Sequence, residues 1–158
     1  CVRLWPQRAG AEKMKITAET WDAHRWPNFS FSEMACQHCP DASASEIDPD
    51  MMDRLQDLRD LYGRGLRVTS GYRCPSHPIE AEKPSGGGAH TTGRAVDVAV
   101  SGADAFRVLE IALSPEIGFS GVGVKQSGAH SGRFLHLDTI QPEDGYKWEA
   151  LRPGLWSY

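Results

Sequence analysis

The stretches RAVDVAV at residues 94–100 and FLHLDT at residues 134–139 alternate apolar and other residues with a period of two, which is the signature of a strand. In the first, Val96, Val98 and Val100 take one strand face while Ala95, Asp97 and Ala99 take the other. Asp97 is thus a lone carboxylate on a face of small residues. In the second, Leu135 and Leu137 share one face, and Phe134, His136 and Asp138 share the opposite one. Taken singly, each segment also reads as a half-buried strand with a polar outer face. Taken together they place His136, Asp138 and Asp97 on the side of a sheet that does not face the core.

Working outward, residues 66–70 and 121–124 supply two further strands, and two helices flank them. Asp48-Pro49 gives an N-cap and a first-turn proline, after which Met52, Leu55, Leu58 and Leu61 repeat at helical spacing until Gly63. A second helix is expected over residues 103–113, with Phe106, Leu109 and Leu113 as its apolar stripe. Residues 14–40 mix tryptophans, proline and polar residues without periodicity and read as an arm anchored by Trp21, Trp26 and Phe29. The fold class expected is α+β: a small, mainly antiparallel sheet with helices on one side. No internal repeat or low-complexity run interrupts it.

At 158 residues, 40% hydrophobic and 24% charged, the composition is that of a soluble globular domain with one core. Lys plus Arg number 17 against 21 Asp plus Glu, a net charge of −4 with no basic block to track phosphates, so nucleic acid is not expected as a partner. There is no apolar run for a membrane span, and the N-terminal CVRLWPQRAGAEKMKIT lacks the apolar stretch of a secretory signal. A monomer made in the cytoplasm is expected, with another route to any site of action in the cell wall or periplasm.

His90 lies in SGGGAHTTG at residues 85–93, just before the Asp97 strand, where a glycine-rich loop can carry an imidazole back toward the sheet. His90, Asp97 and His136 then meet the requirement of a catalytic zinc site, three protein ligands with a further position for a water whose pKa falls to about 7. A carboxylate that does not ligate is needed as general base, and strand parity nominates Asp138. The glycines at 86–88 are not followed by GKS or GKT, and a strand rather than a helix comes next, so a phosphate-binding loop is rejected.

At these residues the chain resembles the zinc D-alanyl-D-alanine carboxypeptidases and related phage endolysin peptidases, within the wider lysostaphin, D-alanyl-D-alanine peptidase and hedgehog-like fold. The likeness covers residues 29–156, and its pieces stand in the family order. They are NFSFSEMAC at 28–36, VTSGYRCPSH at 68–77, HTTGRAVDV at 90–98, GFSGVGV at 118–124 and RFLHLDT at 133–139. The resemblance implies that His90, Asp97 and His136 are the zinc ligands and that Arg73 engages substrate near the scissile bond, with Ser70 and Tyr72 lining the cleft. Independently, Arg73 follows a strand end at a turn, where a guanidinium can clamp a carboxylate or polarise a carbonyl.

Three positions depart from the family pattern. Gly88 stands where a serine is usual, Pro78 follows His77 where an asparagine is common, and residues 78–88 read as a longer loop. Arg133 occupies the place, three before the last ligand, where several branches carry the catalytic acid. His130 and Glu143 are therefore further candidates for the base beside Asp138.

Cys36 and Cys39 form a C-x-x-C, and Cys74 and His77 a C-x-x-H. Either a disulfide joins Cys74 to Cys36 or Cys39, or the three thiols and the imidazole hold a second, structural zinc, or the thiols remain reduced. Cys1 stands outside both patterns. Tyr146, Trp148, Trp156 and Tyr158 read either as a tail closing the core or as stacking partners for sugars.

Met14 opens MKITAETW in the manner of a native start, so residues 1–13 are read as an upstream or vector-derived segment and residues 14–158 as a single zinc peptidase domain. The function expected is hydrolysis of peptidoglycan stem peptides, as a D-Ala-D-Ala carboxypeptidase or endopeptidase and in the setting of a phage endolysin. The rival from another class is a hedgehog-like binding module that keeps its zinc without turnover, or a virion structural protein reusing the fold.

Overall fold

The computed structural model describes residues 14–39, 41–145 and 152–158; the readings of residues 1–13, Tyr146 and Trp148 lie outside the described residues. Five strands form one sheet: β1 Arg67–Ser70, β2 Ala95–Ala99, β3 Gly121–Lys125, β4 Phe134–Asp138 and β5 Gly154–Ser157. Their order is β1-β2-β4-β3-β5; β1 to β4 pair antiparallel and β5 runs parallel to β3. This is the mainly antiparallel α+β sheet that the alternation predicts, with one strand more. The segment that becomes β5 carries too few alternating residues to announce itself, and only pairing with β3 makes it a strand.

The valine and leucine face of the sheet carries the core. Val96, Val98, Val122, Leu135 and Leu137 are buried there together with residues of two helices, α2 Pro49–Tyr62 and α4 Gly102–Ala112. Helix α2 begins where the Asp48 carboxylate accepts the N–H groups of Asp50 and Met51, and ends at Gly63 in the left-handed region. It buries Met51, Met52, Leu55 and Leu58, each large side chain worth roughly 2 kcal/mol in removed apolar surface. Leu61, expected on the same stripe, is instead 55% exposed in the last turn.

Helix α4 corrects its predicted stripe. Ala105, Val108, Ile111 and Ala112 face the core, whereas Phe106 is 72% exposed, Leu113 is 51% exposed and Leu109 is only partly buried. The reason is close approach: Ala105 and Ala112 let the helix lie near α2 and the sheet, a separation that a phenylalanine on that face would prevent. The anchors of the arm are as predicted, with Trp26 and Phe29 buried and the Trp21 ring 5.1 Å from that of Trp26. Within the arm, Ser30 and Glu33 form a capping box that starts a short helix, α1 Phe31–Met34, packed against β1. Among the described residues no helix is long and apolar enough to cross a membrane.

Candidate metal centre

The opposite face of the sheet gathers one row of side chains. Ser70 pairs with Asp97, Asp97 with His136, His136 with Gly123, and Gly123 with Trp156. An irregularity between Val68 and Ser70 sets the first of these pairings, since an unbroken register would bring Thr69 opposite Asp97. The bulge thereby delivers the end of β1, and the turn carrying Arg73, to the carboxylate.

His90 arrives from the 3₁₀ turn Ala89–Thr92, which the backbone fixes from outside. Gly93 N–H closes the turn on His90 O, and Gly93 O accepts Asp48 N–H at 3.0 Å. Gly93 has φ +72, and a Cβ there would come within 3.1 Å of Ile47 Cα, so both its conformation and its surroundings call for glycine. Lys15 Nζ adds a bond of 2.5 Å to Thr92 O.

His90 Nε2, Asp97 Oδ1 and His136 Nδ1 converge. The imidazole nitrogens are 3.1 Å apart, Asp97 Oδ1 lies 2.9 Å from His136 Nδ1, and it lies 3.2 Å from His90 Nε2. Three ligand atoms at about 2.0–2.2 Å from a tetrahedral ion stand roughly 3.3 Å from one another, so this triangle fits a zinc ion with little adjustment. All three residues are buried.

Each ligand is held from behind. His90 Nδ1 is 2.6 Å from Gly71 O and must donate to it, which turns the Nε2 lone pair inward. His136 Nε2 lies 3.2 Å from Asp138 Oδ2, which turns the Nδ1 lone pair inward in the same way. Asp97 Oδ2 accepts Arg73 Nη2–H at 2.9 Å. The charges respond to this enclosure. Burial lowers the pKa of His90. His136 is lowered by burial but raised more by hydrogen bonds to Asp138 and Asp97. Asp97, raised by burial, is brought far below the usual carboxylate range by the two imidazoles.

Asp138 is fully buried and already engaged. Its two oxygens accept Arg152 Nε–H at 3.0 Å and Nη2–H at 2.5 Å, and Oδ1 also takes Ile140 N–H at 3.2 Å. Gly121 makes room for this pair, because a Cβ there would strike the carboxylate and come within 2.5 Å of Arg152 Nε. Asp138 does not line the cleft over the three ligand atoms. That cleft, about 600 Å³, is walled by Arg73, Lys83, Phe134, Arg152, Trp156 and Tyr158 among others, and Asp97 supplies the carboxylate among its described lining residues. Neither His130 nor Glu143 reaches it: His130 Nδ1 meets Ser101 Oγ at 3.4 Å, and Glu143 lies exposed in the turn Pro142–Asp144. Arg133 turns its guanidinium to Gly128 O, at 2.9 and 3.1 Å.

Arg73 is fixed on three sides, by Ser70 Oγ at 2.9 Å, Glu80 Oε1 at 3.1 Å and Asp97 Oδ2. Glu80 went unnoticed in the sequence. The longer loop expected over residues 78–88 contains a short helix, α3 Pro78–Ala81, whose Glu80 is fully buried and also holds Lys83 Nζ and Gly88 N–H, each at 2.7 Å. The proline at 78, in the first turn after the capping His77, was the available signal. Ser70 and Tyr72 open mainly onto a smaller hollow of about 200 Å³ on the far side of Arg73. Arg152 and Trp156, which close the other end, were also missed as site residues; the Trp156 ring lies 5.3 Å from His136 and 4.8 Å from the Arg152 guanidinium.

A second cluster lies beyond the Arg73 turn. Cys39 and Cys74 are joined as a disulfide with their Cα atoms 6.6 Å apart, and Cys36 is a buried free thiol beside them. His77 caps α3 through Nδ1, which accepts Ile79 N–H at 3.3 Å.

No curated protein and no solved structure matches this chain. A family model described as Peptidase M15 does match, over residues 27–138, a span that starts in the arm and takes in Arg73, His90, Asp97 and His136. That span is well over half of the 158 residues and contains every ligand atom of the triangle, so the chain belongs to the peptidase M15 family, a family of zinc-dependent metallopeptidases.

Proposed function

We propose that this protein is a zinc-dependent peptidoglycan peptidase that hydrolyses stem-peptide bonds, as a D-Ala-D-Ala carboxypeptidase or endopeptidase of the phage endolysin type. One observation carries the reading. Three ligand atoms 2.9–3.2 Å apart face one point, and each ligand's other polar atom is already engaged by Gly71, Asp138 or Arg73. When bound, zinc supplies the Lewis acid that acidifies water and polarises a peptide carbonyl.

The chain's own residues do the rest. His90, Asp97 and His136 offer a ligand set with a single carboxylate charge, and Arg73 keeps one N–H on each of Nη1 and Nη2 beyond its bonds to Glu80 and Asp97. Those two groups suit the carbonyl or carboxylate of a peptide lying in the cleft. Phe134, Trp156 and Tyr158 form an apolar wall that limits water around the bond to be cut. Asp138, nominated as base by strand parity, acts in this reading through His136: it fixes the tautomer and ring angle, while Arg152 holds it in place.

Digestion of purified peptidoglycan by the zinc-loaded protein, with and without chelator and with mass analysis of the fragments, tests this. Loss of terminal alanine or opening of cross-links in the zinc sample alone is the expected outcome. Intact muropeptides in both samples would overturn it. One feature favours the second reading, a binding module that keeps its zinc without turnover: the carboxylate nearest the ligands is closed off by Arg152. That reading predicts zinc-dependent retention on peptidoglycan with no change in fragment masses.

A further inference from the structure

We propose that Cys36, Cys39 and Cys74, with His38 as fourth ligand, form a second zinc site that is structural and independent of the His90, Asp97 and His136 centre. The three sulfurs lie within 4.8 Å of one another, and His38 Nδ1 is 3.9 Å from Cys74 Sγ. A tetrahedral zinc with Zn–S of about 2.3 Å and Zn–N of about 2.0 Å sets sulfurs roughly 3.8 Å apart and sulfur from nitrogen roughly 3.5 Å apart. The Cys36 sulfur and the His38 ring thus already stand beside the Cys39–Cys74 pair, whose sulfurs would part to these separations when zinc takes the place of their bond.

Backbone contacts fix the sulfurs in place. Cys74 N–H points at Cys36 Sγ from 3.3 Å and holds the two cysteines side by side. Cys36 N–H is itself tied to Ser45 Oγ at 2.9 Å, which fixes that side of the loop. A Cys39–Cys74 disulfide accounts for two of the three sulfurs and leaves Cys36 as a buried thiol beside it. A thiol so placed can attack the disulfide and exchange partners, so that pairing is not unique, whereas a zinc ion uses all three sulfurs at once. Disulfide and zinc exclude each other at this site.

The fourth ligand separates the two histidines nearby. The His77 and His38 rings face each other with centroids 5.4 Å apart, but His77 Nδ1 is committed to capping α3. His38 directs Nδ1 at the cluster. The C-x-x-C thus contributes three ligands, Cys36, His38 and Cys39, and the Arg73 turn contributes Cys74. Such a zinc ties the arm to the residue next to Arg73, whose guanidinium bonds Asp97.

The test loads the folded chain with cobalt(II) after reduction by a phosphine and removal of zinc. A thiolate site gives intense sulfur-to-cobalt charge-transfer absorption in the near ultraviolet, which a two-histidine, one-aspartate site does not. The expected result is that absorption together with about two metal ions per chain. His38→Ala should shift or lose the charge-transfer band, and His77→Ala should leave it in place. Reduced, folded protein that gives no charge-transfer band and binds about one metal ion overturns the proposal. A band lost in His77→Ala and kept in His38→Ala overturns the choice of fourth ligand. Because the band reports thiolates alone, failure of peptide hydrolysis leaves this result unaffected.

Discussion

The two ligand clusters of this molecule lie on either side of one turn, residues 71–77, and are built in opposite ways. His90, Asp97 and His136 depend on a sheet: two of the three are neighbours across β2 and β4, so backbone hydrogen bonds set their separation. Cys36, Cys39 and Cys74 depend on loops, which a few bonds such as Tyr72 N–H to Met34 O at 2.7 Å bring together and the sulfurs themselves close. A cluster made by register is preorganised before any metal arrives. A cluster made by loops is organised by whatever bond the sulfurs form, and its state follows the redox conditions.

The sharpest way to break this contrast is to remove a ligand from the sheet cluster. His136→Ala should reduce peptide hydrolysis to background and empty that site while leaving β4 intact, as measured by muropeptide release, metal analysis and circular dichroism. Retained hydrolysis would take His136 out of the centre.

Next in size is the pin beneath the Arg73 turn. Glu80 is buried between Arg73 and Lys83, and deleting one member of a buried ion pair leaves an uncompensated charge, so Glu80→Ala should cost about 3 kcal/mol in chemical denaturation. It should also lower hydrolysis, because Arg73 loses one of its three restraints.

Asp138→Asn sharpens the account of the sheet cluster itself. If Asp138 positions His136, zinc affinity should fall about 10- to 100-fold, read by competition with a chelating dye. Unchanged affinity with lost turnover would instead make Asp138 the base that strand parity nominated.

A smaller effect concerns acid. Burial pushes the Glu80 carboxyl up, but hydrogen bonds from Lys83 and Arg73 outweigh it and hold it below its ordinary value of 4.5. Its contribution to stability is therefore complete above that value and is lost as pH falls through the lower folded pKa. Denaturation midpoints measured downward from pH 6 should fall less steeply in Glu80→Gln than in the parent. Equal slopes would remove Glu80 as a source of acid sensitivity. Graded chelation separates the two clusters in turn: a weak chelator should strip the sheet cluster, and with it hydrolysis, before the thiolate cluster releases its ion.

Much of this was legible in the chain. Period-two alternation in β2 and β4 put Asp97 and His136 on one face, and Asp48, Pro49 and Gly63 bounded α2. These are local signals, carried by residues within a turn or a strand of one another. The face of α4 was misread because hydrophobicity favours Phe106 and Leu113, while the available space favours Ala105 and Ala112. That space exists only once α2 and the sheet are in place.

The sequence by itself determined which side chains share a strand face, where the main helices begin and end, and that His90, Asp97 and His136 are chemically fit to bind one ion. Tertiary structure decided the rest. A bulge in β1 brought Ser70 opposite Asp97, a parallel β5 carried Arg152 to Asp138 and Trp156 to His136, and α3 buried Glu80 under Arg73. Strand parity gives a side chain its face but not its partner. A buried charge takes its role from the charge beside it, and here that neighbour comes from a distant part of the chain.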